Sequence, residues 1–398
     1  MTSLAERWGI HPEHFWLRGE RPAEPVRFDE ETGTWTVYGH EEACAVLGDP
    51  KTFSSAHVNE IFPVQVDESM RAGNLLDMDP PDHRKLRNLV SKAFSAKVVA
   101  DLEPRITALT HELLDAAVDG DRLELVDGLA YPLPVIVIAE LLGLPVGDRD
   151  LFRGWVDVMF SENDRVSMND DKETLETEFA AQVEGMAPML DYLRAHAVER
   201  RKNPREDLIS GLVRAEVDGE RLNDDEVVNF STVLLVAGHV TTTMLLGNTA
   251  LCLDAHPDQR ARLRADPSAV PVAIDESLRF LTPFSALARA TTREVELGGK
   301  RIPPDRMVMV WLSAANRDPR RFADADRFDA TRDPNPHLGF GRGIHFCVGA
   351  PLARLEGRIA VDILLDRFPD LRVDPERAPT FMPSPMMTGV RSLPMRVA

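Results

Sequence analysis

Cysteine is scarce. The chain has three among 398 residues, Cys44, Cys252 and Cys347, too far apart for a disulfide framework and suited to a reducing cytoplasm. Lysine is scarce as well, arginine supplying most of the 46 basic residues, and codon usage rather than chemistry accounts for that. Basic charge is in deficit overall, with 65 acidic residues and a net charge of −19. Nucleic acid is thereby excluded as the main partner, because its phosphates would be repelled. The opening stretch "MTSLAERWGIHPEHFWLRGE" lacks any uncharged apolar run, so neither a secretory signal nor a membrane anchor is expected. There is no internal repeat and no low-complexity linker.

What remains is an ordinary globular composition, 43% hydrophobic and 28% charged, long enough for two domains or one large one. "PVRFDEETGTWTVYGH" alternates apolar and polar residues around a Thr-Gly turn and predicts a β-hairpin. "EVELGGKRIPPDRMVMVW" predicts a second hairpin with a Gly-Gly turn, then an apolar strand. Between and beyond them run helical patterns, so the fold class is mainly α with small β-sheets.

Two apolar runs invite a membrane reading. "LAYPLPVIVIAELLGLP" is broken by three prolines and Glu140 and reads as buried core. Val227 to Leu253 has no acidic or basic side chain except His239 and as a helix would be roughly 40 Å long. Its middle, "AGHVTTT", is too polar for hydrocarbon. It predicts a long helix through the centre of a large domain, with a pocket against its midpoint.

Cys347 stands in "FGRGIHFCVGAPLARLEGR". After it, Leu352, Leu355, Ile359 and Ile363 recur at helical spacing, and Pro351 suits a first turn. The cysteine therefore sits where a helix begins, and unpaired amides there favour a thiolate. Gly339, Gly341, Gly343 and Gly349 let the backbone turn and approach a flat, bulky group. By themselves these residues also allow a buried structural cysteine, or a nucleophile with His345 as base.

The pattern Phe340-x-x-Gly343-x-x-x-Cys347-x-Gly349 resembles the haem-binding signature of the cytochrome P-450 monooxygenases, in its soluble bacterial form. The resemblance implies a triangular helical prism spanning residues 1–398 as one domain, with the long central helix over haem b. It implies that Cys347 is the iron ligand, its thiolate favouring O–O cleavage. Phe340 then packs beside the sulfur, with Gly349 in the same cradle. His83, Arg87, Arg289 and His345 reach the propionates as charge-assisted partners. Glu276, Arg279 and Arg327 form a structural network.

"AGHVTT" resembles the family's Ala-Gly-x-acid-Thr. Ala237 and Gly238 leave room for O₂, and Thr241 can bond back to the carbonyl of Ala237. The acid position holds Val240, so proton delivery falls to water held by Thr241, Thr242 or His239, or to a group on the substrate. His239 can instead be read as a core histidine. Thr241 argues against the family's peroxide-using branch.

By order along the chain, Ile61, Phe62, Met159, Phe284, Leu287, Met386 and Met387 are expected to contact substrate. Glu60, Asp67, Glu68, Glu162 and Asp164 are either solvated loop or a mouth that attracts a cationic group. Hydroxylation or epoxidation of a macrolide or other secondary metabolite is the expected reaction, in the manner of antibiotic biosynthesis. A haem-binding sensor or carrier with poor turnover is the alternative. No part of the chain reads as a reductase. Electrons are expected from a ferredoxin and ferredoxin reductase, docking on Arg84, Lys85, Lys92, Arg342, Arg354 and Arg358.

Overall fold

The computed structural model describes residues 4–62, 64, 71–159, 167–217 and 220–397. Both predicted hairpins form. Val26–Asp29 pairs antiparallel with Thr34–Val37. Val295–Leu297 pairs with Lys300–Ile302 across Gly298 and Gly299, both at positive φ as a two-residue turn demands. The apolar strand Met307–Trp311 then enters a five-stranded sheet. It lies parallel to Thr34–Val37 and antiparallel to Ala286–Thr291, and Phe53–Ser54 forms the far edge.

The rest is helical. The central helix runs Asp224–Ala255 over 32 residues, about 48 Å at the usual rise. Its start is fixed by a capping box in which Asn223 and Glu226 satisfy each other's backbone. It is apolar and long enough to cross a membrane, but 78% of its most apolar window is buried inside the protein. The proline-broken run becomes the buried helix Pro132–Leu142, stopped by Gly143 in the left-handed region. Its one acid, Glu140, reaches outward to Arg105 at 2.7 Å. Glu103–Ala117, Lys172–Lys202, Val270–Phe280 and Ala350–Arg367 complete the helical body. Most of the apolar core lies between these helices, and a smaller cluster lies under the sheet.

The Glu-x-x-Arg pair of Val270–Phe280 is fully buried. Glu276 and Arg279 are 0% exposed and share two 2.7 Å contacts. The expected third member is corrected. Arg327 contributes only its backbone carbonyl to Arg279, and its side chain is exposed. The guanidinium that reaches Glu276 belongs to Arg332, at 3.1 Å. The turn preceding Arg332 aims its side chain inward while that of Arg327 faces water.

Candidate active site

The central helix is buried along most of its length, and it opens where Ala237, Gly238 and Thr241 face a cavity. With its open mouth that cavity encloses about 1310 Å³. Another wall is the loop before Ala350–Arg367, and it carries Phe340, His345, Cys347 and Gly349. The loop is closed by the Cys347 N–H donating to the Phe340 carbonyl at 2.9 Å. Gly343 sits at φ +72°, and a Cβ there would lie 2.2 Å from the Leu47 carbonyl oxygen. Only glycine fits.

Cys347 lies deep in protein, yet its thiol is open to the cavity. Burial pushes the thiol up. The backbone N–H groups of Gly349 and Ala350, together with the charge of Arg87, pull it back towards the thiolate. A Cβ at Gly349 would sit 3.9 Å from the sulfur, so glycine keeps that side clear. The Arg354 guanidinium covers the Phe340 ring at 4.6 Å. The nucleophile reading fails on His345, whose Nε2 is engaged with Ser55 Oγ at 3.1 Å.

Arg87 and His345 line the cavity; His83 and Arg289 stand off its wall. The four are nonetheless one cluster. The rings of His83 and His345 lie 4.3 Å apart. Burial, then the charges of Arg289, His83 and Arg87, depress His345 to about 3. Burial likewise lowers His83, Arg87 and Arg289. Asp77 and Asp79 offset Arg289 only in part. His83 Nε2 is buried with no partner. A cluster of two buried and two half-buried bases, offset only in part by Asp77 and Asp79, fits an anionic guest, and the open sulfur fits a soft metal.

On the central helix, Thr241 Oγ1 donates to the Ala237 carbonyl at 2.9 Å and Thr242 Oγ1 to Gly238 at 3.4 Å. Both threonines line the cavity. A Cβ on Gly238 would lie 2.9 Å from Ile138 Cγ1, so that glycine serves the close packing of Pro132–Leu142 as well as the cavity. His239 takes the core role. It is 1% exposed, edge-on to Tyr131, hydrogen-bonded by Nδ1 to the Leu235 carbonyl at 2.6 Å, and depressed to about 4 by burial.

Of the expected substrate contacts, Phe284 and Leu287 line the cavity. The others with described side chains do not line it. Ile61, Phe62 and Met386 pack on Ala286, Met307 and Met309. There the His57 ring, 2.6 Å from Glu60 and 2.7 Å from Asp305, ties the short helix Val58–Ile61 to the sheet's outer turn. Met387 is 2% exposed within the core, its backbone bridged to Phe284. The Met159 side chain and Asp67, Glu68, Glu162 and Asp164 lie outside the described residues. Glu60 is held by His57, and no carboxylate lines the cavity among the described residues.

Sequence reasoning missed Leu75, Leu76, Phe94, Phe230, Val233 and Leu234, all on the cavity wall. The last three could have been found by stepping back from Ala237, Gly238 and Thr241 in helical repeats.

A sequence model described as Cytochrome P450 matches residues 13–271 and 268–397. The chain is a cytochrome P450. It is 44% identical over 383 residues to the cyclomarin C epoxidase CymV of Salinispora arenicola, covering 96% of this chain and 94% of that one. It is 43% identical over 404 residues to the erythromycin C-12 hydroxylase of Saccharopolyspora erythraea, covering 99% and 98%. Among solved structures, HmtN, a post-tailoring hydroxylase involved in himastatin biosynthesis, superposes with a TM-score of 0.87 at 57% identity, covering 100% of both chains. The chain is thus a P450 monooxygenase with the P450 fold, as its signature implied, and membership implies a haem-iron cofactor. Its relatives are hydroxylases and epoxidases of bacterial secondary metabolism.

Proposed function

We propose that residues 1–398 act as one cytoplasmic P450 domain that oxidises a secondary metabolite, by hydroxylation or epoxidation, late in its assembly. In the cavity, Cys347 would hold haem b as its thiolate ligand, with Phe340 and Gly349 beside the sulfur, and His83, Arg87, Arg289 and His345 would receive its propionates. The group supplies activation of O₂ and transfer of one oxygen atom to a C–H or C=C bond. The chain supplies the rest. Gly349 and Ala350 aim their N–H groups at the sulfur and favour its anion against the burial that raises the thiol. Thr241, with Thr242 behind it, holds the water that carries protons inward, since Val240 cannot. Phe230, Val233, Leu234, Phe284 and Leu287 turn an apolar wall towards the substrate and exclude bulk water.

The observation that carries this reading is the deep sulfur of Cys347 opening into the same cavity as Ala237, Gly238 and Thr241. The apolar wall supports a large, largely uncharged substrate body such as a macrolide, and lends nothing to an amine-recognising mouth. Electrons come from a ferredoxin and its reductase. Arg84, Lys92 and Arg342 are exposed for docking, whereas Arg354 and Arg358 are held by Asp275 and Glu103 at 2.8 Å each.

The test is a spin-state titration of the purified ferric protein with macrolides, with and without amino sugars, and with terpenes and fatty acids. Hits are then turned over with a ferredoxin system. A low-to-high-spin shift and an oxygenated product from a macrolide support the reading. Shifts from fatty acids alone contradict the substrate class.

A further inference from the structure

Away from the reacting centre, four buried polar side chains from distant parts of the chain converge. His14, Asn248, Ser285 and Thr388 are each 2% exposed or less. Thr388 Oγ1 lies 2.8 Å from Ser285 Oγ and 3.0 Å from His14 Nδ1. Asn248, on the central helix, donates to the Thr388 carbonyl at 2.8 Å and to that of Leu281 at 3.1 Å. The backbone closes the same junction from both sides. Ser285 N–H donates to Met386 at 2.8 Å, and Thr388 N–H donates to Pro283 at 2.9 Å.

Burying four polar groups is costly unless they find partners. The Thr388 and Ser285 hydroxyls, His14 Nδ1 and the Asn248 amide N–H find theirs here, while His14 Nε2 and Asn248 Oδ1 do not. The bonds that are made fix geometry more sharply than apolar packing does. The Thr388 hydroxyl has one proton, so it donates to one neighbour and accepts from the other. Burial holds the His14 ring neutral, depressed to about 3, so it bonds without charge at working pH. The junction cannot close further onto the central helix. A Cβ on Gly389 would lie 2.2 Å from Met244 Cγ, so the C-terminal loop rests directly on the central helix. What it clamps is the segment from Pro283 to Leu287, in which Pro283, Phe284 and Leu287 line the cavity.

We propose that Thr388, acting through Ser285 and His14, is a positioning residue that sets how far Phe284 and Leu287 project into the cavity, and so which ligand shapes it admits. It touches no reacting atom. The inference rests on the reading of the cavity as the haem and substrate site, and the probes are chosen to separate the two.

Imidazole and 4-phenylimidazole both bind ferric haem iron and shift its spectrum, but only the second is large enough to press on the wall. In the holoprotein, Thr388→Val is expected to leave imidazole affinity within about twofold and to change that of 4-phenylimidazole by about tenfold or more. The thiolate-type ferrous–CO band stays intact, and Thr388→Ser restores wild-type discrimination. An equal change for both probes, no change for either, or failure of Thr388→Ser to rescue overturns the proposal. Should Thr388→Val not fold, Ser285→Ala removes the same contact from the wall side and is read in the same way. Failure of the underlying reading is distinct, because wild-type protein would then give no spectral shift with imidazole.

Discussion

Thr241 Oγ1 donates to the carbonyl of Ala237, 2.9 Å away, on the one face of the central helix that opens to the cavity. Beside it stands Val240, buried and without a proton to give. On the proposed reading, protons reach the reacting centre through this hydroxyl and the water it holds. Thr241→Ala is expected to lower product formed per electron pair by about tenfold or more, the balance appearing as hydrogen peroxide. Thr241→Ser should keep most of the coupling. Product and peroxide counted against donor consumed decide it. Unchanged coupling in Thr241→Ala removes the residue from proton delivery.

Glu276 and Arg279 are buried completely, and truncating either strands a charge. Glu276→Ala is expected to cost about 3–5 kcal/mol. Arg332→Ala should show a clear loss, because its guanidinium joins that of Arg279 on Glu276. Arg327→Ala should stay within about 0.5 kcal/mol, as an exposed side chain does. Denaturant midpoints of the four proteins rank these effects. A larger loss in Arg327→Ala than in Arg332→Ala contradicts the network as described.

Glu356 is 1% exposed, its Oε2 has no partner, and burial pushes its carboxyl from 4.5 up to about 8. Between those values the folded protein keeps a proton that the unfolded chain has released. This group's contribution to stability is therefore complete below 4.5 and is lost as pH rises towards 8, by about 1.4 kcal/mol per unit at most. Glu356→Gln removes that slope. Unfolding at about pH 5 and about pH 8 should show the variant gaining on wild type at the higher pH. Parallel pH dependences contradict it.

Gly343 holds a left-handed φ with no room for a Cβ. Gly343→Ala is expected to destabilise the Cys347 loop by more than about 1 kcal/mol and to lower haem retention on gel filtration. Full retention contradicts the geometry.

These features were legible in the sequence to different degrees. The Cys347 loop and the Ala237–Thr241 turn were readable because their chemistry is local. One glycine-defined loop and one helix turn hold the decisive groups, and each is a short pattern whose role its resemblance to the P450 signature supplied. Both hairpins were readable from local pattern too, their turns being glycine-coded. Arg332 was missed because two arginines five residues apart on one meander differ only in which way the turn aims them. Ile61, Phe62 and Met386 were assigned to the pocket by chain order. Order cannot register that His57, held between Glu60 and Asp305, ties the helix of Ile61 to the sheet, or that Met386 packs on that sheet beside it. His239 sits one residue from the cavity face, and only the helix's rotation against Tyr131 decides its role.

The central claim is that Cys347 is the thiolate ligand of a haem in this cavity, and the ferrous–carbonyl spectrum tests it most directly. Wild-type protein is expected to show the red-shifted Soret band of thiolate ligation, and Cys347→His to keep haem but lose that shift. A red-shifted band surviving in Cys347→His, or absent from haem-loaded wild type, would contradict the account.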